Sequence, residues 1–272
     1  LIAFSMELGT DEAYYWLYSQ DLKWNYFDHP PMVAIWIRAF TANLFLQHIE
    51  GFVRLSSVVG CGIASWALYQ TVATIHSAKA GFYAACLYNA SVYAAVTAGI
   101  FIMPDAPQMM FYTLSLWMIA HITKAETSWV AWTAFGVMAG LCIMSKVYGA
   151  FLWVGVGLFA LLKKRNWFFR PQIYVAFTIT AIIVSPILVW NVENDFLSYR
   201  FHSSRADISR GGFDLVTFGR EVTNQVLYNN PLNVVLIFAG LTAFTRKRVP
   251  KRAATDALVI FHFVGLPLAL LL

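Results

Sequence analysis

Residues 10–31, TDEAYYWLYSQDLKWNYFDHPP, decide how this chain is read. The acids Asp11, Glu12, Asp21 and Asp28 and the histidine His29 sit there between one apolar segment and several more. Ionisable groups are costly in hydrocarbon and are retained where they function, so a polar island among apolar spans is where chemistry is expected. The island is also aromatic, with Tyr14, Tyr15, Trp16, Tyr18, Trp24, Tyr26 and Phe27. Tyr and Trp carry an apolar ring and a polar edge, which suits the headgroup level of a bilayer. The island is therefore expected on a membrane surface.

Composition supports that frame. Of the 272 residues, 59% are hydrophobic and 12% charged, with a mean hydropathy of +0.61. A soluble domain carries about 25% charged residues. The expected class is all-α, a polytopic transmembrane helix bundle. The net charge of +5 does not point to nucleic acid, because the basic residues cluster in short loops between apolar spans, the pattern that sets membrane orientation. Cys61, Cys86 and Cys142 fall in apolar spans without metal-type spacing and read as small core residues. The chain starts inside an apolar segment and stops in LPLALLL, so both ends are expected to be cut and residues 1–272 to be one domain of a longer protein.

A hydrocarbon core of about 30 Å needs roughly 17 to 25 helical residues per crossing. Windows of that kind lie near residues 52–75, 80–102, 107–123, 129–145, 147–162, 172–190, 226–245 and 255–272. Lys163, Lys164, Arg165 and Arg170 form one basic connector, and Arg246, Lys247, Arg248, Lys251 and Arg252 another; both are expected in the cytoplasm. Counting back, residues 9–50 and 191–225 become extracytoplasmic loops, and every acid except Glu126 and Asp256 falls on the outer side. Residues 32–50, MVAIWIRAFTANLFLQHIE, are apolar enough to raise the question of another crossing. Arg38, Asn43 and the Pro30-Pro31 pair favour a helix lying in the interface.

Several outer residues are candidates for chemistry. Asp11 and Glu12 follow Thr10, a residue able to cap a helix, and acids in a first helical turn are favoured by the dipole. That suffices for Glu12, which remains a candidate for substrate binding. Asp11 is also suited to taking a proton from a hydroxyl. Asp105, in MPDAP, either caps a helix or serves the site. Lys146, in IMSKVYGAF, has no acid nearby in sequence and suits a lipid-linked phosphate, with snorkelling to the headgroups as the plainer alternative. In residues 190–205, WNVENDFLSYRFHSSR, Arg200, His202 and Arg205 offer donors for a phosphate. A divalent ion shared by Asp28 and His202 stays open, although separated His and Asp residues are a poor metal signal.

These pieces resemble the GT-C membrane glycosyltransferases, in the bacterial branch related to protein O-mannosyltransferases and lipid A aminoarabinose transferases. The resemblance rests on Asp11-Glu12-Ala13-Tyr14-Tyr15, Tyr26-Phe27-Asp28-His29-Pro30-Pro31, Pro104-Asp105-Ala106-Pro107, Ser145-Lys146, and Trp190-Asn191 with Phe201-His202, in the family's order. It implies transfer of a sugar, with inversion, from a polyprenyl-phosphate carrier to a lipid, glycan or protein acceptor. The site would face the extracytoplasmic side of a bacterial inner membrane, with no required cofactor. On that template Asp11 is the catalytic base, Asp105 the second-loop acid near the site and Lys146 the cation facing the carrier phosphate. Asp28-His29 falls where relatives carry an acid followed by Lys.

A transporter or flippase of lipid-linked sugars is the rival reading. Transporters place polar groups near the bilayer midplane and show internal repeats, whereas these acids crowd one boundary and no repeat is visible.

Overall fold

The computed structural model describes residues 2–205 and 214–245. Among them the regular elements are all helical: α1 (Ile2–Ser5), α2 (Thr10–Gln20), α3 (Met32–Phe40), α4 (Glu50–Ile75), α5 (Ala78–Ala90), α6 (Asp105–Lys124), α7 (Trp129–Ser145), α8 (Phe151–Lys163), α9 (Pro171–Glu193), α10 (Leu197–Arg205), α11 (Leu215–Tyr228) and α12 (Pro231–Thr245). The expected all-α class holds for these residues. The window at 255–272, the second basic cluster, Arg210 and the Arg205 side chain lie outside the described residues.

Helices α5, α4, α6, α7 and α9 pack side by side in that order. The main core lies among α6, α7, α8 and α9, where Trp132, Phe135, Phe159 and Trp167 are fully buried. A smaller core of Tyr15, Val33, Ile37, Val53 and Ile102 seats α2 and α3 on α4. Close approach of α7 and α9 depends on Gly136, where an added Cβ would stand 2.5 Å from the Ala176 carbonyl oxygen. The Thr180 hydroxyl donates across the same contact to the Gly136 carbonyl at 2.8 Å. Inside α9, Pro186 has no N–H for the carbonyl four residues back. The Ser185 hydroxyl donates to that carbonyl, Ile182 O, at 2.8 Å.

Among the described residues two helices, α4 and α9, are long and apolar enough to cross a membrane. At 1.5 Å per residue their 26 and 23 residues span about 39 and 34 Å. Both leave apolar side chains outward, among them Val58, Val59 and Trp66 on α4 and Tyr174, Phe177, Ile182, Leu188 and Val192 on α9.

Three expected spans are not single helices. The 80–102 window ends as α5 at Ala90, turns at Ser91 and continues as a short π-helix, Tyr93–Thr97. The 147–162 window opens with a 3-10 turn, Val147–Ala150, before α8. The 226–245 window breaks at Asn229 and Asn230 ahead of Pro231. In each case a hydropathy window averages over turn-forming residues that end the hydrogen-bond ladder. Residues 32–50 do not cross as one helix either. The nine residues of α3 reach only about 13 Å, and the chain then turns through Ala42, Asn43 and Leu44, all with positive φ. Arg38 is a capping residue here. It donates to the Ser19 and Gln20 carbonyls at the end of α2, at 2.7 and 3.1 Å, and to Asn43 Oδ1 at 3.0 Å.

Candidate active site

The polar island is organised by a buried ion pair that its sequence does not advertise. Helix α2 starts one residue earlier than expected, with Gly9 and not Thr10 at the N-cap. Glu12, 3% exposed, accepts from Arg54 Nε at 2.7 Å and Arg54 Nη2 at 2.6 Å, and also from the Gly9 and Ile102 backbone N–H groups at 3.0 and 3.1 Å. Arg54 spends its remaining donors on the Ala3, Met6 and Glu7 carbonyls. Burial raises the Glu12 pKa, but the Arg54 hydrogen bonds and the two backbone donors outweigh it and hold the carboxyl below its ordinary range. With its oxygens so committed, Glu12 ties α1, α2, α4 and the Ile102 turn together. Both Glu12 oxygens thereby have protein donors. Arg54 was invisible to sequence reasoning because it sits inside an apolar helix, 42 residues from its partner.

With α2 fixed in this way, Asp11, Tyr15 and Tyr18 share one of its faces at i, i+4 and i+7 spacing. The Tyr18 hydroxyl donates to Asp28 Oδ1, and the Tyr14 hydroxyl lies 3.3 Å from the same oxygen. Tyr26 stacks on Tyr18 with ring centroids 3.8 Å apart. Tyr15 packs against His29 at 5.7 Å. Its hydroxyl is pushed well above the usual phenol range, first by burial and then by the charges of Asp28, Asp105 and Asp11. Three carboxylates distant in sequence thus act on one phenol. Asp11 itself is exposed and makes no hydrogen bond or ion pair among the described residues.

Asp105 opens α6, yet its carboxylate does not cap it; the N-cap is Pro104 and has no side-chain bond. The carboxylate instead accepts from the Tyr93 hydroxyl and from Lys146 Nζ, the latter at 2.8 Å. Lys146, which has no acid nearby in sequence, is paired with one across 41 residues. It also lies 5.6 Å from the Tyr148 ring centroid. Asp105 is 7% exposed, and Lys146 keeps part of its surface open towards a cavity of about 890 Å³. The π-helical turn that breaks the expected span is what presents Tyr93 to Asp105.

That cavity is walled by Asp28, His29, Lys146, Tyr148, Asn191 and His202, among others. Helix α10 closes it by lying along residues 25–28. The Asn25 amide donates to Ser198 Oγ and Ser198 Oγ donates to the Tyr26 carbonyl, both at 2.9 Å. One turn later His202 Nε2–H donates to the Asp28 carbonyl at 2.9 Å. His202 thus meets the backbone of Asp28 and not its carboxylate. Among the described residues no group of three or more His, Cys, Asp or Glu side chains is disposed to hold a metal ion. Arg200 is exposed and does not line the cavity.

His29 faces Asp28, Lys146, Asp105 and His202; burial lowers its pKa below the ordinary 6.5 and the Lys146 charge adds to this, outweighing the opposing acids. The folded protein therefore holds His29 neutral. As pH falls below 6.5 the unfolded chain takes up that proton more readily, so stability drops. We expect the unfolding midpoint to fall between pH 7 and pH 5.5 and His29→Gln to flatten this dependence, as read by thermal unfolding in detergent at each pH.

Residues 28–190 match the family model described as dolichyl-phosphate-mannose-protein mannosyltransferase. The chain belongs to that family. The matched segment of this mannosyltransferase-family chain contains Asp28, His29, Asp105 and Lys146. The chain is also similar to lipid A galacturonosyltransferase RgtD of Rhizobium johnstonii, with 25% identity over 206 residues, covering 76% of this chain. It spans 43% of the length of that relative. No solved structure matches it.

Proposed function

We propose that the chain forms the membrane-embedded catalytic part of a glycosyltransferase of the GT-C type. It moves a sugar from a polyprenyl-phosphate carrier to a lipid, glycan or protein acceptor, with inversion, on the extracytoplasmic face of a bacterial inner membrane. The observation that carries this reading is Lys146, held by Asp105 at the edge of a cavity large enough for a sugar phosphate, beside the neutral His29. The apolar outward faces of α4 and α9 support a bilayer as the surrounding solvent.

In this reading Lys146 steadies the carrier phosphate, His202 shapes the same cavity wall through its bond to the Asp28 carbonyl, and Arg200, exposed outside the cavity, meets the remainder of the headgroup. Asp28 and His29 contact the bound donor. Asp11, whose carboxylate has no protein partner among the described residues, takes the proton from the acceptor hydroxyl. The hydroxyl oxygen bonds to the anomeric carbon from the face opposite the phosphate. The bond from that carbon to the phosphate oxygen breaks, and the departing phosphate keeps the electron pair, its charge met by Lys146. Asp105 positions Lys146 and is the next candidate for the base. No metal is needed for these steps, and a divalent ion near Asp28 and His202 remains part of the proposal only as an alternative aid to the leaving group.

The test is transfer by the full-length protein from a panel of polyprenyl-phosphate sugars, including mannose and galacturonic acid, to a lipid A acceptor. Transfer from at least one carrier is expected. Transport of the carrier across vesicles without transfer would instead establish the flippase reading.

A further inference from the structure

Asn191, a residue of the cavity wall, keeps a buried side-chain oxygen for which no donor is found among the described residues. Asn191, 1% exposed, stands in the last turn of α9 and lines the cavity with Lys146 and His29. Its amide nitrogen donates to the Ile187 carbonyl at 2.9 Å, which settles which way the amide points, since a carbonyl only accepts. Oδ1 is then turned away from that carbonyl, buried, with no donor among the described residues. Two other polar side chains of the cavity wall have protein partners: Ser198 with Asn25 and the Tyr26 carbonyl, and His202 with the Asp28 carbonyl. A buried acceptor without a donor is costly, and native proteins seldom keep one unless something outside the chain fills it.

We infer that Asn191 reads a hydroxyl of the transferred sugar, which donates a hydrogen bond to Oδ1 while Lys146 holds the carrier phosphate in the same cavity. The inference rests on the carrier-phosphate reading above and adds a specificity residue to it. An acceptor at this place favours a hydroxyl and disfavours a sugar carboxylate, whose oxygens would meet Oδ1 with like partial charge. Discrimination by such a contact is strong because a sugar lacking the hydroxyl leaves the buried oxygen unpaired.

The test measures binding to the full-length protein of three probes: polyprenyl phosphate alone and the same carrier bearing mannose or galacturonic acid. Asn191→Leu removes the acceptor while keeping a branched side chain. It is expected to weaken binding of a glycosylated carrier about ten-fold, the scale of one buried hydrogen bond, and to leave the bare carrier unchanged. Asn191→Ala, which only enlarges an existing cavity, serves the same comparison should the leucine variant not fold. A monodeoxy series of the glycosylated carrier identifies the hydroxyl. One member should bind the wild type about ten-fold more weakly and lose nothing further in the variant. Equal loss for bare and glycosylated carriers overturns the inference by making Asn191 a structural residue, and no loss for either overturns it by leaving only water on Oδ1. Failure of the wild type to bind any of the three probes refutes the carrier-phosphate reading itself, and this inference with it.

Discussion

Replacing Arg54 with alanine is expected to destabilise the protein by about 3–5 kcal/mol, the usual cost of stranding one partner of a buried ion pair. The pair is 1% and 4% exposed, so solvent does not rescue the Glu12 carboxylate once its guanidinium is gone. The Ala3, Met6 and Glu7 carbonyls lose their donor in the same step. Glu12→Ala should cost a similar amount, because the charge left on Arg54 is equally buried. The double variant Glu12→Gln with Arg54→Met should recover part of the loss, since it leaves no unpaired charge, and it should stop short of full recovery because the three carbonyls stay unfilled. Acid should weaken the wild type by the same route. The folded Glu12 carboxyl lies below its ordinary 4.5, so its contribution is present above 4.5 and is lost as pH falls through the folded value. Thermal unfolding of the detergent-solubilised protein reads all three variants. A wild-type midpoint for Arg54→Ala would show that the pair is not what seats α2.

The second large effect is on turnover. Asp11→Asn keeps the shape of the side chain and removes its proton affinity, so transfer should fall by about 10² or more while donor binding persists. Lys146→Ala should weaken donor binding and transfer together, because a cation opposite the phosphate acts on the bound donor and more strongly as charge develops on the leaving group. It also strands the buried Asp105 carboxylate beside Tyr93 alone, so the folded fraction must be measured alongside. Binding and turnover measured separately distinguish the roles. Near-normal transfer by Asp11→Asn would remove it from the base position and promote Asp105, whose conversion to Asn should then be the damaging change.

The sequence by itself determined the helical class, the ends of α4, α6, α7 and α9 to within a few residues, and the family. Runs of apolar residues long enough for a helix are one-dimensional information, and so are short motifs in a fixed order. It also singled out Asp28, His29, Lys146 and His202, which come to line one cavity. Pairing was decided only in three dimensions. Glu12 found Arg54, Asp105 found Lys146 and Tyr93, and His202 found the Asp28 backbone, across separations from 12 to 174 residues. Hydropathy windows also ran across the breaks at Ser91 and Asn229-Asn230, where side-chain hydrogen bonds and Pro231 end helices that averaging keeps whole. The physical reason is common to both. Periodicity reports which face of a helix is apolar, whereas the cost of a buried charge or an unfilled carbonyl is settled by whichever partner the fold brings within 3 Å, and no spacing along the chain encodes that partner.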